Sequence, residues 1–205
     1  MVIEPSARLL AIAAACAVLS CGQPPAATKT QAATPKGGVF RYMPLEDGTV
    51  FSYETSTQPS GEKGLLVLEI RRPRAESAEL VVAGRVRRLE VTESALAHVT
   101  GGFLLKEPLA TGAEWKGDFG RVRVTNTERA VTVPAGEFVD CLETVEEATN
   151  AEGSKKTTTA YCPGIGIALR ETEAEQEAEY AVERIALKSW GKRFNAVGDS
   201  MSIEK

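Results

Sequence analysis

Short segments in which apolar and polar residues alternate follow one another from residue 49 to residue 188. Alternation with a period of two is typical of β-strands, whose successive side chains point to opposite faces. Glycine and proline separate the segments, as at Pro59-Ser60-Gly61 and Pro163-Gly164, where a chain can reverse its direction. Strands at this spacing predict an antiparallel sheet, a sandwich or a partly open barrel. The predicted strands cover residues 49–57, 65–71, 81–92, 96–105, 121–127, 139–147, 155–162, 165–173 and 180–188.

One segment leaves a detail of the fold class open. Residues 173–184 are rich in alanine and glutamate, which favour a helix by propensity. Residues 180–187 nevertheless regain the alternation of a strand. We therefore predict an all-β fold, with a minor helix in this segment as the alternative.

The chain is long enough to form one domain with a substantial core. It has 205 residues, of which 43% are hydrophobic. Its formal net charge of -4 disfavours general binding to nucleic acid, because phosphates attract basic surfaces. We expect no nucleic-acid partner.

The amino-terminal residues have the order of an export signal. Arg8 precedes an apolar run over residues 9–19, and Ser20 then places a small residue directly before Cys21. The run is about half of the roughly 20 residues that a membrane-spanning helix needs. We therefore expect residues 1–20 to be a signal peptide rather than a permanent membrane span.

The stretch Val18-Leu19-Ser20-Cys21-Gly22 resembles the bacterial lipobox, in which an aliphatic residue stands three positions before an acylated cysteine. The resemblance implies lipid transfer to the Cys21 thiol, cleavage before Cys21 and acylation of the new amino terminus. Several acyl chains hold a protein stably on a membrane, since each buried methylene contributes about 0.8 kcal/mol. Two alternatives remain: acylation of Cys16, and a secreted protein that is cut near Ser20 and keeps Cys21 unmodified.

The expected anchor implies a location in the cell envelope and a domain layout. By analogy with enteric bacteria, Gly22 rather than aspartate after the cysteine favours the outer membrane over the inner membrane. Residues 21–38 predict the lipidated cysteine followed by a flexible linker, because Pro, Ala, Thr, Gln and Gly dominate them. The β-rich domain then covers residues 39–190, and residues 191–205 are expected to form a frayed tail.

Cys141 and Cys162 are left as an even pair in an oxidising compartment once the two earlier cysteines are assigned. If the chain forms a hairpin around Asn150-Ala151-Glu152-Gly153, opposed residue numbers have a constant sum, and Cys141 lies opposite Cys162. We therefore predict a structural disulfide; a redox or metal pair is the alternative, which no CxxC motif supports. The same register pairs Glu147 with Lys156, Val145 with Thr158 and Leu142 with Tyr161.

Two turns resemble a signature of uncharacterised bacterial exported lipoproteins with a β-rich domain. They are Val133-Pro134-Ala135-Gly136-Glu137-Phe138 and Tyr161-Cys162-Pro163-Gly164-Ile165-Gly166, which match a VPAG-Phe turn and a PGVG-like turn. The resemblance implies a single antiparallel sheet, curved into a half-barrel or an open sandwich, and it brings no known catalytic residue. Cys162 departs from the pattern, which often has alanine there, and this departure fits a bridge to Cys141.

We predict no catalytic, cofactor-binding or metal site. The sequence contains no GxGxxG loop and no GxxxxGKS/T loop, which disfavours nucleotide binding. His98 is the single histidine, and its neighbourhood does not form a nucleophile elbow.

Three functional hypotheses follow. The favoured one is a non-catalytic, membrane-anchored envelope lipoprotein that serves as an interaction or assembly module for an unknown envelope protein. The second is a carrier of an apolar, lipid-like ligand on the concave face of the sheet; the third, a hydrolase without a recognisable site, is disfavoured. An unfilled apolar concavity would favour the carrier, and a well-packed core with an exposed patch would favour a protein partner. Residues that would line the concave face, or simply form the core, are Phe51, Tyr53, Leu66, Leu68, Phe103 and Leu105.

Overall fold

The structure is a computed structural model that describes residues 38–151, 153–176 and 179–193. The predicted signal peptide, Cys21 and the predicted linker up to residue 37 lie outside these residues, as do residues 194–205 of the predicted tail. Among the described residues, no helix is long and apolar enough to cross a membrane.

The described residues form one short helix, α1, and twelve strands. The helix covers Gly38–Tyr42. The strands are β1 (Thr49–Gln58), β2 (Lys63–Arg74), β3 (Ser77–Val82), β4 (Arg85–Val91), β5 (Ala95–His98), β6 (Phe103–Lys106), β7 (Glu114–Lys116), β8 (Arg121–Val133), β9 (Gly136–Asn150), β10 (Gly153–Cys162), β11 (Gly166–Gln176) and β12 (Glu179–Lys192).

The strands form one antiparallel sheet in the order β6-β5-β4-β3-β2-β1-β12-β11-β10-β9-β8-β7. Strands that follow one another in the chain pair, except β6 and β7, and β1 also pairs with β12, so the first and last strands lie side by side. A twisted sheet of this many strands curls. The sheet is therefore nearly closed into a barrel, with β6 and β7 as its two edges, which confirms the predicted all-β class and the single curved antiparallel sheet.

The seam between the edge strands β6 and β7 is held by a side chain and a close backbone contact. The indole Nε1 of Trp115 in β7 donates a hydrogen bond of 3.2 Å to the carbonyl oxygen of Phe103 in β6. Gly102 lies against the backbone of Gly117, so that a β-carbon on Gly102 would collide with the Gly117 carbonyl group. The φ of Gly102 is 83°, which also favours glycine. Gly102 therefore lets the two edges meet.

The helix α1 and the loop that follows it cover one end of the curved sheet. Met43 is 2% exposed and Leu45 is 0% exposed. The amide of Gly164, in the turn between β10 and β11, donates a hydrogen bond of 2.7 Å to the carbonyl oxygen of Arg41. This end of the sheet is therefore closed by apolar side chains and tied to the β10–β11 turn.

The hairpin of β9 and β10 has the predicted register. The paired residues are Glu147 with Lys156, Val145 with Thr158 and Leu142 with Tyr161. Cys141 and Cys162 form a disulfide, and both are fully buried. Because charge, apolar and cysteine pairs all require this one register, a slip by one residue would lose all of them together.

The described residues of the ambiguous segment belong to two paired strands, β11 and β12, rather than to a helix. Glu173 at the end of β11 lies opposite Val182 in β12, and Ala174 lies opposite Ala181. Helix propensity is a weak preference, at most about 0.7 kcal/mol per ordinary residue, and pairing with a neighbouring strand overrides it here. The helix alternative is wrong for this segment, and the minor helix is α1 instead.

Other boundaries differ from the predicted ones. The turns at Ala83-Gly84 and Gly101-Gly102 divide two predicted strands into four, β3 to β6. The three residues of β7 were missed because so short a strand shows no period. The frayed tail does not begin at Gly191, because β12 continues to Lys192 and the Arg193 amide donates a 2.8 Å hydrogen bond to the Gly48 carbonyl oxygen.

Candidate functional site

A cavity of about 320 Å³ lies on the concave face of the sheet. Sites for small molecules commonly measure about 300–1,000 Å³, so this space has the size of a modest ligand. Strands from both halves of the sheet line it, because inward-pointing residues alternate with outward-pointing ones along each strand.

One side of the cavity is apolar. Leu66 and Leu68 of β2 point into it, whereas their neighbours Leu65 and Val67 are 68% and 51% exposed. We call this side the apolar wall, which consists of Leu66, Leu68, Leu80, Val82 and Phe103.

The other side carries hydroxyl groups. On β10, Thr157 and Thr159 alternate with outward residues and are 7% and 3% exposed. The Thr157 hydroxyl lies 3.1 Å from the Thr172 hydroxyl of β11, so hydrogen bonds between strands fix these groups. We call this side the hydroxyl wall, which consists of Thr144, Thr157, Thr159, Tyr161 and Thr172.

A β-bulge places Arg170 on the hydroxyl side of the cavity. In the pairing of β10 with β11, Tyr161 lies opposite Ile167 but Ala160 lies opposite Leu169, so one extra residue is inserted in β11. Bulges re-aim the side chains that follow them. Ile167 and Arg170, three residues apart, therefore both line the cavity.

The side chain of Arg170 is surrounded by neutral oxygen atoms. Its Nε lies 3.4 Å from the Thr159 hydroxyl, at the outer limit of a hydrogen bond. Burial raises the pKa of Tyr161, and the nearby Arg170 charge acts in the opposite direction. Burial likewise raises the pKa of Tyr53, whose hydroxyl donates a 3.1 Å hydrogen bond to the Ile167 carbonyl oxygen. Both tyrosines therefore stay neutral beside the guanidinium.

The exposed part of the cavity lining, which we call its opening, lies at the end of β10 that is away from α1. Lys155 at this end is exposed, whereas Thr159 and Tyr161, farther along β10, are 3% and 2% exposed. The ammonium of Lys155 lies 4.3 Å from the ring centroid of Phe119, which lines the opening from the loop before β8. A ligand would enter past these two side chains and reach the tyrosines last.

Glu146 fixes the loop that carries Phe119. One of its carboxylate oxygens accepts hydrogen bonds from the backbone amides of Phe119 and Gly120, at 2.8 Å and 2.9 Å. Hydrogen bonds of backbone amides to a carboxylate are among the stronger ones in proteins. Glu146 is therefore a structural group of the cavity that positions its rim.

His98 lines the cavity near the seam and is 9% exposed. Burial lowers the pKa of His98, and the carboxylate of Asp118 opposes this shift. The other charges that act on it are Arg87, Glu146 and Arg170. Among the described residues, no cluster of His, Cys, Asp or Glu has the arrangement of a metal site.

The lowered pKa of His98 predicts a loss of stability in mild acid. The unfolded chain binds a proton at the ordinary pKa of about 6.5, whereas the folded chain keeps His98 neutral to lower pH. The contribution is therefore complete above about pH 6.5 and is lost as the pH falls below that value. Urea unfolding between about pH 7.5 and pH 5.5 measures it. His98→Gln should reduce the loss, and an equal loss in both proteins would contradict this assignment.

The structure brings together four of the six residues that we expected to line a concave face. Tyr53, Leu66, Leu68 and Phe103 border the cavity. Phe51 and Leu105 are 2% and 0% exposed and belong to the core outside it. The hydroxyl wall and Arg170 were missed, although the alternating threonines at 157 and 159 in a predicted strand are a signal of an inward polar row.

No family model and no curated protein matches this sequence. Two solved structures have a similar chain path. One is a "putative exported protein with YmcC-like fold" from Bacteroides fragilis, with 14% identity and a TM-score of 0.47, covering 72% of this chain and 97% of that chain. The other is a "putative lipoprotein" from Parabacteroides distasonis, with 12% identity and a TM-score of 0.45, covering 72% of this chain and 96% of that chain. We assign no residue role and no activity from either similarity.

Proposed function

We propose that the protein is a non-catalytic lipoprotein, anchored in the cell envelope through Cys21, whose β-rich domain binds a small, partly apolar molecule inside the curved sheet. The observation that supports the proposal is the cavity of about 320 Å³ between the apolar wall and the hydroxyl wall. Protein interiors are packed about as densely as organic crystals, so a space of this size is unusual in a purely structural core. An unfilled concavity is the feature that we expected of a carrier.

The proposed anchor would keep the cavity near a membrane surface. The predicted linker, which follows Cys21 and ends at residue 38, has the composition of a flexible chain with a root-mean-square length of about 20–25 Å. Apolar and amphiphilic molecules concentrate in membranes, so a domain on such a linker is well placed to take them up. On the ground of Gly22, we propose the outer membrane as the location.

An interaction or assembly module is the second candidate. It is favoured by the large apolar side chains of Leu65 and Val67 on the convex face, which are 68% and 51% exposed. Exposed apolar residues of this kind, when they form a patch, are typical of surfaces that meet a partner. Crosslinking in intact envelopes tests this candidate separately from the cavity. The yield of crosslinked complex is compared between the unaltered chain and Val67→Lys, which places a charge on the exposed apolar pair.

Titration with a neutral, environment-sensitive dye tests the proposed function. The exported chain with Cys21→Ser is used, because it needs no detergent that would compete for the cavity. N-phenylnaphthylamine should bind saturably, with one site per chain and enhanced fluorescence, because the apolar wall excludes water from the dye. A signal that rises linearly without saturation would contradict a binding cavity.

A further inference from the structure

The guanidinium of Arg170 differs in its partners from those of Arg87 and Arg184. Arg87, which also lines the cavity, pairs with Asp118 at 2.8 Å. Arg184, on the convex side of neighbouring β12, pairs with Glu171 at 3.2 Å. In the part of the chain that the structure describes, Arg170 forms no ion pair with a carboxylate, and its neighbours are the Thr159 hydroxyl, at 3.4 Å, and the Tyr161 hydroxyl. Arg170 is therefore a cation with unused donors that faces an open space.

A partly buried cation without a counter-charge is unfavourable, because the surroundings solvate it less well than water does. The hydroxyls of Thr159 and the two buried tyrosines offer Arg170 dipoles but no charge, and the carboxylates that also line the cavity, Asp118, Glu146 and Glu183, form no ion pair with it. Arg170 itself is only partly buried, so a ligand in the cavity can reach it. An anionic group bound there would receive charge-assisted hydrogen bonds from the guanidinium.

The remaining charges of the cavity limit the anion to one negative charge. Glu146 lines the same cavity, and its own hydrogen bonds go to backbone amides, so its charge stays near the site without neutralising Arg170. The lining includes three cations, Arg87, Lys155 and Arg170, and three carboxylates, Asp118, Glu146 and Glu183, so a dianion would add two negative charges where the charges already balance. A carboxylate fits this balance better than a phosphate dianion.

The apolar wall faces the hydroxyl wall across the cavity. A purely polar anion would make no favourable contact with it. Leu66, Leu68 and Val82 present hydrocarbon there, which is favourable only against another apolar surface. We propose that the cavity takes an amphiphile with a single carboxylate, which binds Arg170, and a short hydrocarbon tail, which packs on the apolar wall. This inference rests on the proposed function and specifies its ligand class.

Decanoate and decan-1-ol, which have equal chain lengths, separate the headgroup from the tail. We measure the binding of both by isothermal titration calorimetry at neutral pH, using the whole exported chain with Cys21→Ser. The Cys21→Ser chain with Arg170 intact should bind decanoate at least about tenfold more tightly than the alcohol, as expected for hydrogen bonds to a charged group. Arg170→Gln should remove this preference, so that the acid and the alcohol bind about equally. Arg184→Gln, an arginine change on the convex face, should leave both affinities unchanged.

Each other outcome overturns the inference. Equal affinities for acid and alcohol at an intact Arg170 would exclude a carboxylate site while leaving the apolar cavity of the proposed function in place. Binding of neither compound would contradict the inference and the proposed function together. If Arg170→Gln fails to fold, as judged by circular dichroism, the comparison of the two compounds on the unaltered cavity still decides the question.

Discussion

Replacing Cys141 and Cys162 by alanine is expected to lower the free energy of unfolding by about 3 kcal/mol. The disulfide joins residues that are 21 positions apart in sequence and ties Cys162, the last residue of β10, to Cys141 within β9. In the chain-entropy model, a loop of this size restricts the unfolded chain and so stabilises the folded one. Urea unfolding at neutral pH measures the difference in unfolding free energy between the exported chain with both cysteines and the exported chain with both alanines.

Reduction provides the control for this prediction. With dithiothreitol present throughout, the unaltered protein should lose most of its advantage over the alanine variant, because both then lack the cross-link. Both cysteines are fully buried, so any difference that remains reports the packing of the replaced side chains. Unfolding free energies that are identical with and without the two cysteines would contradict a stabilising disulfide.

Replacing Cys21 by serine is expected to abolish lipid attachment and to release the protein from the membrane fraction. Serine has no thiol to accept the lipid, and without acyl chains the protein loses the buried methylenes that anchor it, each worth about 0.8 kcal/mol. Radiolabelled palmitate incorporation and membrane fractionation measure the two effects together.

Cys16→Ser is the matched control, because Cys16 is the other cysteine of the amino-terminal segment. The Cys16 variant should keep both the palmitate label and the membrane location. If instead the Cys16 variant loses the label and the Cys21 variant keeps it, the acylated residue is Cys16, and the predicted linker is longer.

The fold class and the β9–β10 register could be predicted because they depend on local patterns. Alternation identifies strands, and several kinds of pair agree on a single alignment of residues 141–162. Propensity alone was less informative: the residues around Glu173 favour a helix by composition, yet they lie between two strands that supply hydrogen bonds for a third.

The cavity could be predicted only in part, because its shape depends on closure of the whole sheet. Tyr53 and Leu66 were found from their alternation, which places them on the inward face. Arg170 was not found, because the bulge between Ile167 and Leu169 changes which residues of β11 point inward. No sequence pattern marks the inserted residue. The meeting of β6 and β7 at Trp115 joins edges that are not adjacent in the pairing order, and sequence periodicity carries no information about such a contact.

Leu66→Trp and Val67→Trp form a matched pair, because the two residues are neighbours in β2 and point to opposite faces. Leu66 lines the cavity, whereas Val67 is 51% exposed on the convex face. A tryptophan at position 66 would fill part of the cavity, at a cost of about 1–3 kcal/mol in stability that a thermal melt monitors.

Dye binding to this pair tests the central claim, that a small molecule binds inside the curved sheet. With N-phenylnaphthylamine as the probe, Leu66→Trp should weaken saturable binding at least about tenfold. This change equals roughly the free energy of burying one or two methylene groups. Val67→Trp should bind the dye as the unaltered chain does. Unchanged binding by a folded Leu66→Trp protein, or an equal loss in both variants, would contradict a binding site in the cavity.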